Sequence, residues 1–183
     1  MWYVVLFFFA LLLDQVTKLL ASYYANGANV TVLTVVDNFL EITYCENRDG
    51  MMGFFDDLAS REYIFLIATG VILLGLFIYL GVSKNRGKWR NTTMALILAG
   101  AFGNLIDRLI HFTDGAFVRD MIHVIIDIGG KEYFPYIFNV ADMALVIGAI
   151  MLILDLLFID KDAILRFKKK DKKAKEPKAN TEA

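Results

Sequence analysis

The chain has 183 residues, of which 57% are hydrophobic, and its mean hydropathy is +0.53. Because soluble domains are usually about 45–50% apolar, this composition indicates a membrane protein. The formal net charge is -1, and the charges are unevenly distributed along the chain. The single cysteine, Cys45, excludes an intramolecular disulfide and a CxxC metal site. With only two histidines, His111 and His123, a zinc site of the HExxH kind is also excluded.

Four stretches are long and apolar enough to cross a bilayer, for which a helix needs about 20 mostly apolar residues. They run from Met1 to about Leu20, Tyr63 to about Val82, Thr92 to about Ile110 and Phe138 to about Phe158. The first stretch lacks the basic segment and the small-residue cleavage site of a signal peptide, so we expect it to be retained.

Loop charges predict how the spans are oriented. The connection between spans two and three has four basic residues and no acid, and the C-terminal segment is also strongly basic. The first connection, about residues 22–60, has six acids and only one arginine. We therefore expect both termini to be cytoplasmic. Residues 1–159 form the predicted membrane domain, and residues 160–183 a basic, disordered tail that contacts anionic lipid rather than nucleic acid.

The first outer connection is rich in β-branched residues. Val30–Val36 and Phe39–Tyr44 are predicted to form strands of a small sheet, and an interfacial helix is predicted to begin near Phe54. The expected fold class is an integral membrane, mainly α protein, in which four transmembrane helices carry a small extracytoplasmic β-sheet and a short interfacial helix.

Charged side chains at membrane depth are costly and are usually functional. Asp14 and Lys18 lie four residues apart on the first helix, so they share a face and can pair. In the third span, Asn104 shares a face with Asp107 and Arg108. Because adjacent residues cannot pair on one helix face, we expect Asp107 and Arg108 each to find a partner on another element. The alternative is a helix end that emerges into water.

Two aspartates flank the last connection between spans. Asp120 stands in an apolar frame after span three, and Asp142 opens span four together with Asn139. Asp142 is also well placed to cap its helix. Two carboxylates within hydrogen-bond distance do not both ionise easily, so one acts as a base on water and the other as an acid. The spacing is therefore compatible with an aspartic hydrolase.

Five segments, taken in order, closely resemble the type II signal peptidases, the lipoprotein signal peptidases of bacteria. The segments are Asp14-Gln15-Val16-Thr17-Lys18, Glu46-Asn47-Arg48, Gly100 to Arg108, Val118-Arg119-Asp120 and Phe138-Asn139-Val140-Ala141-Asp142. The resemblance extends from Asp14 to about Gly148 and includes all four spans.

The resemblance implies a membrane aspartic endopeptidase that cuts prolipoproteins on the amino side of a cysteine bearing a diacylglyceryl group. Asp120 and Asp142 would be its catalytic dyad. The residues that would bind substrate or brace the site are Asp14, Lys18, Asn47, Asn104, Asp107, Arg108, Asn139 and Ala141. No cofactor or metal is implied. Prolipoproteins and membrane lipids would be the partners and globomycin an inhibitor, at a site near the outer leaflet of the bacterial cytoplasmic (inner) membrane.

The chain departs from the family pattern in four places. Asp49 stands where glycine is expected and Met52 where an aromatic residue is expected. Ala99 replaces a glycine, and Met143 follows Asp142 where serine is common. Arg119 precedes Asp120 where an apolar residue is common, and it would reduce charge repulsion at the dyad if its side chain turned inward.

Two other classes of function fit intramembrane polar residues. A small transporter would use them as an ion path and would be expected to show inverted repeats or broken helices. A scaffold would use them only to lock helices together, so that removing Asp120 would abolish folding.

Overall fold

The structure is a computed structural model that describes residues 1–48 and 87–159, together with positions 63, 64, 67, 69–71, 73–75 and 78, which are helical. Half of the 20 positions of the second predicted span, 63–82, therefore lie outside the described residues. The interfacial helix predicted near Phe54, the altered Asp49 to Met52 loop and the basic tail lie wholly outside them.

Three helices in the described part of the chain are long and apolar enough to cross a membrane. They are α1 (Trp2–Tyr24), α2 (Lys88–Ile110) and α3 (Val140–Leu154), which continues as a π-helical segment, Asp155–Ile159. They confirm the first, third and fourth predicted spans. The fourth was expected to begin at Phe138, but Asn139 is extended, with φ -129° and ψ 179°, and the helix starts after it.

Small residues let the three helices approach closely, as the glycines of the third span predicted. A Cβ atom added to Gly103 would lie 2.6 Å from Asp14 Oδ2 and 2.9 Å from Ala141 Cβ. On the facing helix, a Cβ atom at Gly148 would lie 3.1 Å from the backbone nitrogen of Ile97. Helix α2 is thus packed against both α1 and α3 at distances that only glycine permits.

Within residues 1–48 and 87–159, six strands form two antiparallel sheets. Their ranges are β1 Val30–Val36, β2 Leu40–Asn47, β3 Val118–Val124, β4 Asp127–Ile128, β5 Lys131–Glu132 and β6 Ile137–Phe138. The main sheet has the order β1-β2-β3-β6, and β4 and β5 form a separate hairpin. Strand β1 was predicted correctly. Strand β2 extends past the predicted Tyr44 because its last three residues pair with β3, a strand that the sequence did not predict.

The main sheet rests on the end of α1. Ala21 of α1 packs with Tyr44 of β2 and Met121 of β3, and all three are buried. This contact fixes the position of β3, and therefore of Asp120, along the helix axes.

Replacing Gly103 by alanine is expected to destabilise the protein by about 1–3 kcal/mol, because the new methyl group would force α1 and α3 away from α2. Gly75, whose Cβ would meet nothing within 4 Å, supplies the matched control. Thermal unfolding in detergent should show a lower Tm for Gly103→Ala than for Gly75→Ala. Equal Tm values would contradict the close-packing argument.

Candidate active site

Asp120 and Asp142 line the same cavity although 22 positions separate them in the chain. Asp120 lies in the middle of β3, and Asp142 lies in the first turn of α3. The cavity has a volume of about 680 Å³, and its polar lining also includes Asn47, Asn104 and Arg108. The other lining residues are apolar or aromatic: Val118, Phe134, Tyr136, Ile137, Phe138, Met143, Leu145, Val146 and Ile147. A small polar site therefore opens into an apolar cavity.

The carboxylate of Asp120 accepts hydrogen bonds from two amide side chains. Asn47 Nδ2 donates to Oδ2 at 2.8 Å, and Asn139 Nδ2 donates to Oδ1. Asn47 reaches Asp120 because its partner across β2 and β3 is Val118, two residues away on the same face of the sheet. Strand pairing therefore brings Asn47, which belongs to the second of the five segments, to Asp120.

The two carboxylate oxygens of Asp142 have different partners, one in the cap of α3 and one on α2. Oδ2 accepts the backbone N–H of Asn139 at 3.1 Å, while Asn139 Oδ1 accepts the backbone N–H of Asp142 at 2.8 Å. This reciprocal capping box starts α3. The other carboxylate oxygen of Asp142, Oδ1, accepts a 2.8 Å hydrogen bond from Asn104 Nδ2. The capping role considered for Asp142 is present, and the same side chain also faces the cavity.

Asn104 is held by a buried lysine. Lys18 Nζ donates to Asn104 Oδ1 at 3.0 Å, and Asn139 Nδ2 donates to the same oxygen at 3.1 Å. Lys18 is 0% exposed. Its ammonium group also lies 2.9 Å from Asp14 Oδ2 and 3.4 Å from Asp107 Oδ2. The predicted pairing of Asp14 with Lys18 is present and is linked to the cavity through Asn104.

Asp14 also connects α1 to the start of α3. Its Oδ1 accepts the backbone N–H of Ala141 at 2.8 Å, and its Oδ2 accepts a 3.0 Å hydrogen bond from Gln15 Nε2. Ala141 is 1% exposed, so it contributes its backbone and its small size rather than a reactive group. Asp14, Lys18 and Ala141 therefore brace the site from behind.

Asp107 has its partner on another element, strand β3, as predicted, and Arg108 donates to the connection that precedes that strand. Asp107 Oδ1 lies 2.7 Å from Arg119 Nη2, and Asp107 Oδ2 accepts the backbone N–H of Arg119 at 2.8 Å. Arg108 Nη1 donates to the carbonyl oxygen of Ala116 at 3.0 Å. Arg108 lines the cavity, whereas Asp107 holds strand β3 against α2.

The side chain of Arg119 does not turn toward the dyad. Successive residues of a strand point to opposite faces, so Arg119 points away from the face that carries Asp120. Its guanidinium instead pairs with Asp107 and lies 3.4 Å from Gln15 Oε1. The inward turn under which Arg119 would reduce charge repulsion between Asp120 and Asp142 is therefore absent. Because Arg119 is buried and paired, it replaces the usual apolar residue without leaving an unpaired charge.

The environment of Asp120 favours its protonated form. Burial raises the pKa of Asp120 to about 7, and the nearby negative charge of Asp142 contributes to the shift, while hydrogen bonds from Asn47 and Asn139 oppose it. Near neutral pH, the pair of carboxylates can therefore hold one proton. Such a pair can donate one proton and accept another.

Gln15, which belongs to the first of the five segments, bridges α1 and α2 through the carbonyl oxygen of Gly103 at 3.1 Å. Phe134 and Tyr136 form part of the cavity wall and were not identified from the sequence. The β-branched residues around Asp120 were a signal for β3 that went unused. Within the described ranges, no group of three or more His, Cys, Asp or Glu side chains is arranged to hold a metal ion.

Comparison with known proteins gives concordant matches. Residues 6–158 match the family model described as Signal peptidase (SPase) II. A lipoprotein signal peptidase of Caldanaerobacter subterraneus is 34% identical over 149 residues, covering 81% of this chain and 91% of the relative. One from Acinetobacter baylyi is 35% identical, covering 86% of this chain and 82% of the relative. A solved bacterial membrane enzyme structure superimposes with a TM-score of 0.71 at 31% identity, covering 96% of this chain and 94% of the other.

Arg119→Met is expected to destabilise the protein by about 3 kcal/mol, because it removes one partner of a buried ion pair. Adding Asp107→Asn removes the uncompensated charge, so the double variant should recover part of the lost Tm. Thermal unfolding of both single variants and the double variant measures the coupling. Additive losses would show that the two side chains do not act as a pair.

Proposed function

Since the chain belongs to the signal peptidase II family, whose members are multi-pass membrane peptidases that remove signal peptides from prolipoproteins, we propose that it is an aspartic endopeptidase with Asp120 and Asp142 as its dyad. The observation that carries this proposal is their placement, on separate elements, in one cavity. Asn139 links them directly, since its side chain donates to Asp120 and its backbone donates to Asp142.

In the proposed mechanism, the ionised carboxylate of the pair takes a proton from a water molecule, whose oxygen attacks the scissile carbonyl carbon. The protonated carboxyl group gives its proton to the carbonyl oxygen, and a tetrahedral diol forms. In the collapse of the diol the C–N bond breaks, one carboxyl group gives its proton to the leaving amine, and the other, ionised carboxylate takes a proton from a diol hydroxyl group, which becomes the carbonyl oxygen of the new carboxylic acid. Both products are then complete, and the dyad again holds one proton.

The polar residues around the dyad have distinct proposed roles. Asn47, Asn104 and Asn139 orient the two carboxylates through the hydrogen bonds described above. Arg108, a cation in the cavity wall, is placed to interact with the substrate backbone. Asp14, Lys18, Asp107 and Ala141 act behind these residues, holding α1, α2 and the start of α3 in place.

The shape of the cavity supports a lipid-modified substrate. Its lining residues Met143 and Val146 are also 40% and 58% exposed, so the cavity opens on the apolar surface of α3. A diacylglyceryl group can therefore remain in the bilayer while the peptide bond before its cysteine reaches the dyad. Globomycin, a cyclic peptide inhibitor of the family, is proposed to bind in the same cavity.

The charge pattern of the loops supports a location in the bacterial cytoplasmic membrane with both termini inside. The main sheet and Asp120 would then lie at the outer leaflet. Residues 160–183 are proposed to form a separate basic tail that contacts anionic lipid on the cytoplasmic side.

Asp120→Asn and Asp142→Asn are each expected to lower the cleavage rate of a lipidated prolipoprotein by about 10²–10⁴-fold, the usual contribution of acid–base catalysis. Asp37→Asn, which changes an exposed carboxylate, is the control and should cleave normally. Thermal unfolding of the same variants separates catalysis from folding. Substantial turnover by either dyad variant would refute the assignment, and loss of folding in Asp120→Asn would favour the scaffold.

The cleavage rate is expected to fall as pH rises above about 7, because the proton that Asp120 retains is lost above its raised pKa. Below pH about 7 Asp120 keeps its proton, so the fall in cleavage rate on the alkaline side of the pH profile is the diagnostic feature. A pH profile of kcat/KM for a lipidated prolipoprotein checks the expectation. A rate that keeps rising from neutral to alkaline pH would contradict it.

A further inference from the structure

The hairpin of β4 and β5 has two chemically different faces. Cross-strand pairing places Asp127 opposite Glu132 and Ile128 opposite Lys131, and Tyr133 N donates to the carbonyl oxygen of Ile126 at 2.8 Å. Because side chains alternate along a strand, the acidic pair lies on one face. The other face carries Ile126, Ile128, Lys131 and Tyr133.

One residue of the acidic face reaches the main sheet, because Glu132 Oε1 lies 2.9 Å from Nε2 of His123, which belongs to β3. The apolar face is left uncovered: Ile128 is 64% exposed, Tyr133 is 58% exposed and Ile126 is 42% exposed. In a hairpin that faces water, the apolar face usually packs on the protein, and here it does not.

The hairpin is well defined despite its short strands. Gly129 and Gly130 have φ values of 69° and 81°, as a two-residue turn of the I′ type requires. Asp127 Oδ1 also accepts the backbone N–H of Gly130 at 2.9 Å. Isolated two-stranded hairpins are only marginally stable in water, so contact of the apolar face with another phase would stabilise this one.

We propose that the apolar face of this hairpin lies in the interfacial layer of the bilayer, where Ile126, Ile128 and Tyr133 contact lipid. The apolar surface continues from the hairpin to the helices, since the residues that follow it, Phe134 and Tyr136, line the cavity together with the exposed Val146 of α3. Val146 belongs to a helix that is long and apolar enough to span a membrane, so the apolar face of the hairpin is continuous with a surface that lipid would cover.

The remaining residues of the apolar face also suit a lipid interface. Tyrosine is enriched at the level of the lipid headgroups, and lysine extends its ammonium group toward the phosphates while its stem stays apolar. Lys131 Nζ lies 5.3 Å from the centre of the Tyr133 ring, so the charge and the ring lie together.

The proposal is tested with the full chain carrying Cys45→Ala and Ile128→Cys, labelled at position 128 with a nitrobenzoxadiazole fluorophore and reconstituted in phosphatidylcholine vesicles. The emission should shift to shorter wavelength than in water. It should also be quenched by phosphatidylcholine that carries a nitroxide near the headgroup end of its acyl chain. Tyr133→Cys, labelled in the same way, provides a second position on the same face and should behave alike.

Asp127→Cys is the matched control, because its side chain lies next to Ile128 in sequence but on the opposite face. Its label should be quenched less than the label at position 128. Water-like emission at both 128 and 133 would overturn the proposal. A blue-shifted emission that the nitroxide lipid does not quench would also overturn it, because protein rather than lipid would then cover the face.

Discussion

The arrangement of the site depends on the contacts that the buried ammonium group of Lys18 makes. Removing a charge of this kind from water costs several kcal/mol, and the cost is offset only if its partners are all in place. These partners are Asp14 on α1 and the Gly103 carbonyl oxygen, Asn104 and Asp107 on α2. The absence of a side chain at Gly103 permits α1 to approach α2 closely. The position of the site therefore depends on this close approach, because Lys18 reaches its partners on α2 only there.

Lys18 also determines which way an amide faces. An ammonium group only donates hydrogen bonds, so Asn104 must present its oxygen to Lys18 and its nitrogen to Asp142. Asn139 is oriented in a similar way, because its oxygen accepts the backbone N–H of Asp142 and leaves its nitrogen for Asp120. Both carboxylates thus receive N–H donors at positions fixed by contacts outside the cavity.

The sequence was sufficient to predict the parts of the fold that follow local patterns. The apolar helices, strand β1 and the pairing of Asp14 with Lys18 follow from composition or from helical spacing. Strand β3 lacks the alternation of apolar and polar residues that marks a half-buried strand, since its first four residues are all buried, and its β-branched residues were the local signal for it. The direction of Arg119 depended on that strand, so its pairing with Asp107 required the tertiary structure.

A second buried ion pair lies at the far end of the helix pair formed by α2 and α3. Arg90 Nε donates to Asp155 Oδ2 at 2.9 Å, while Asn104 and Asp142 join the same two antiparallel helices at the site. An α-helix rises about 1.5 Å per residue, so sliding one helix past the other by a single residue would break both links. The two links together fix the register of α2 against α3, so the ion pair at the far end of the helices contributes to the spacing of the groups around Asp120 and Asp142.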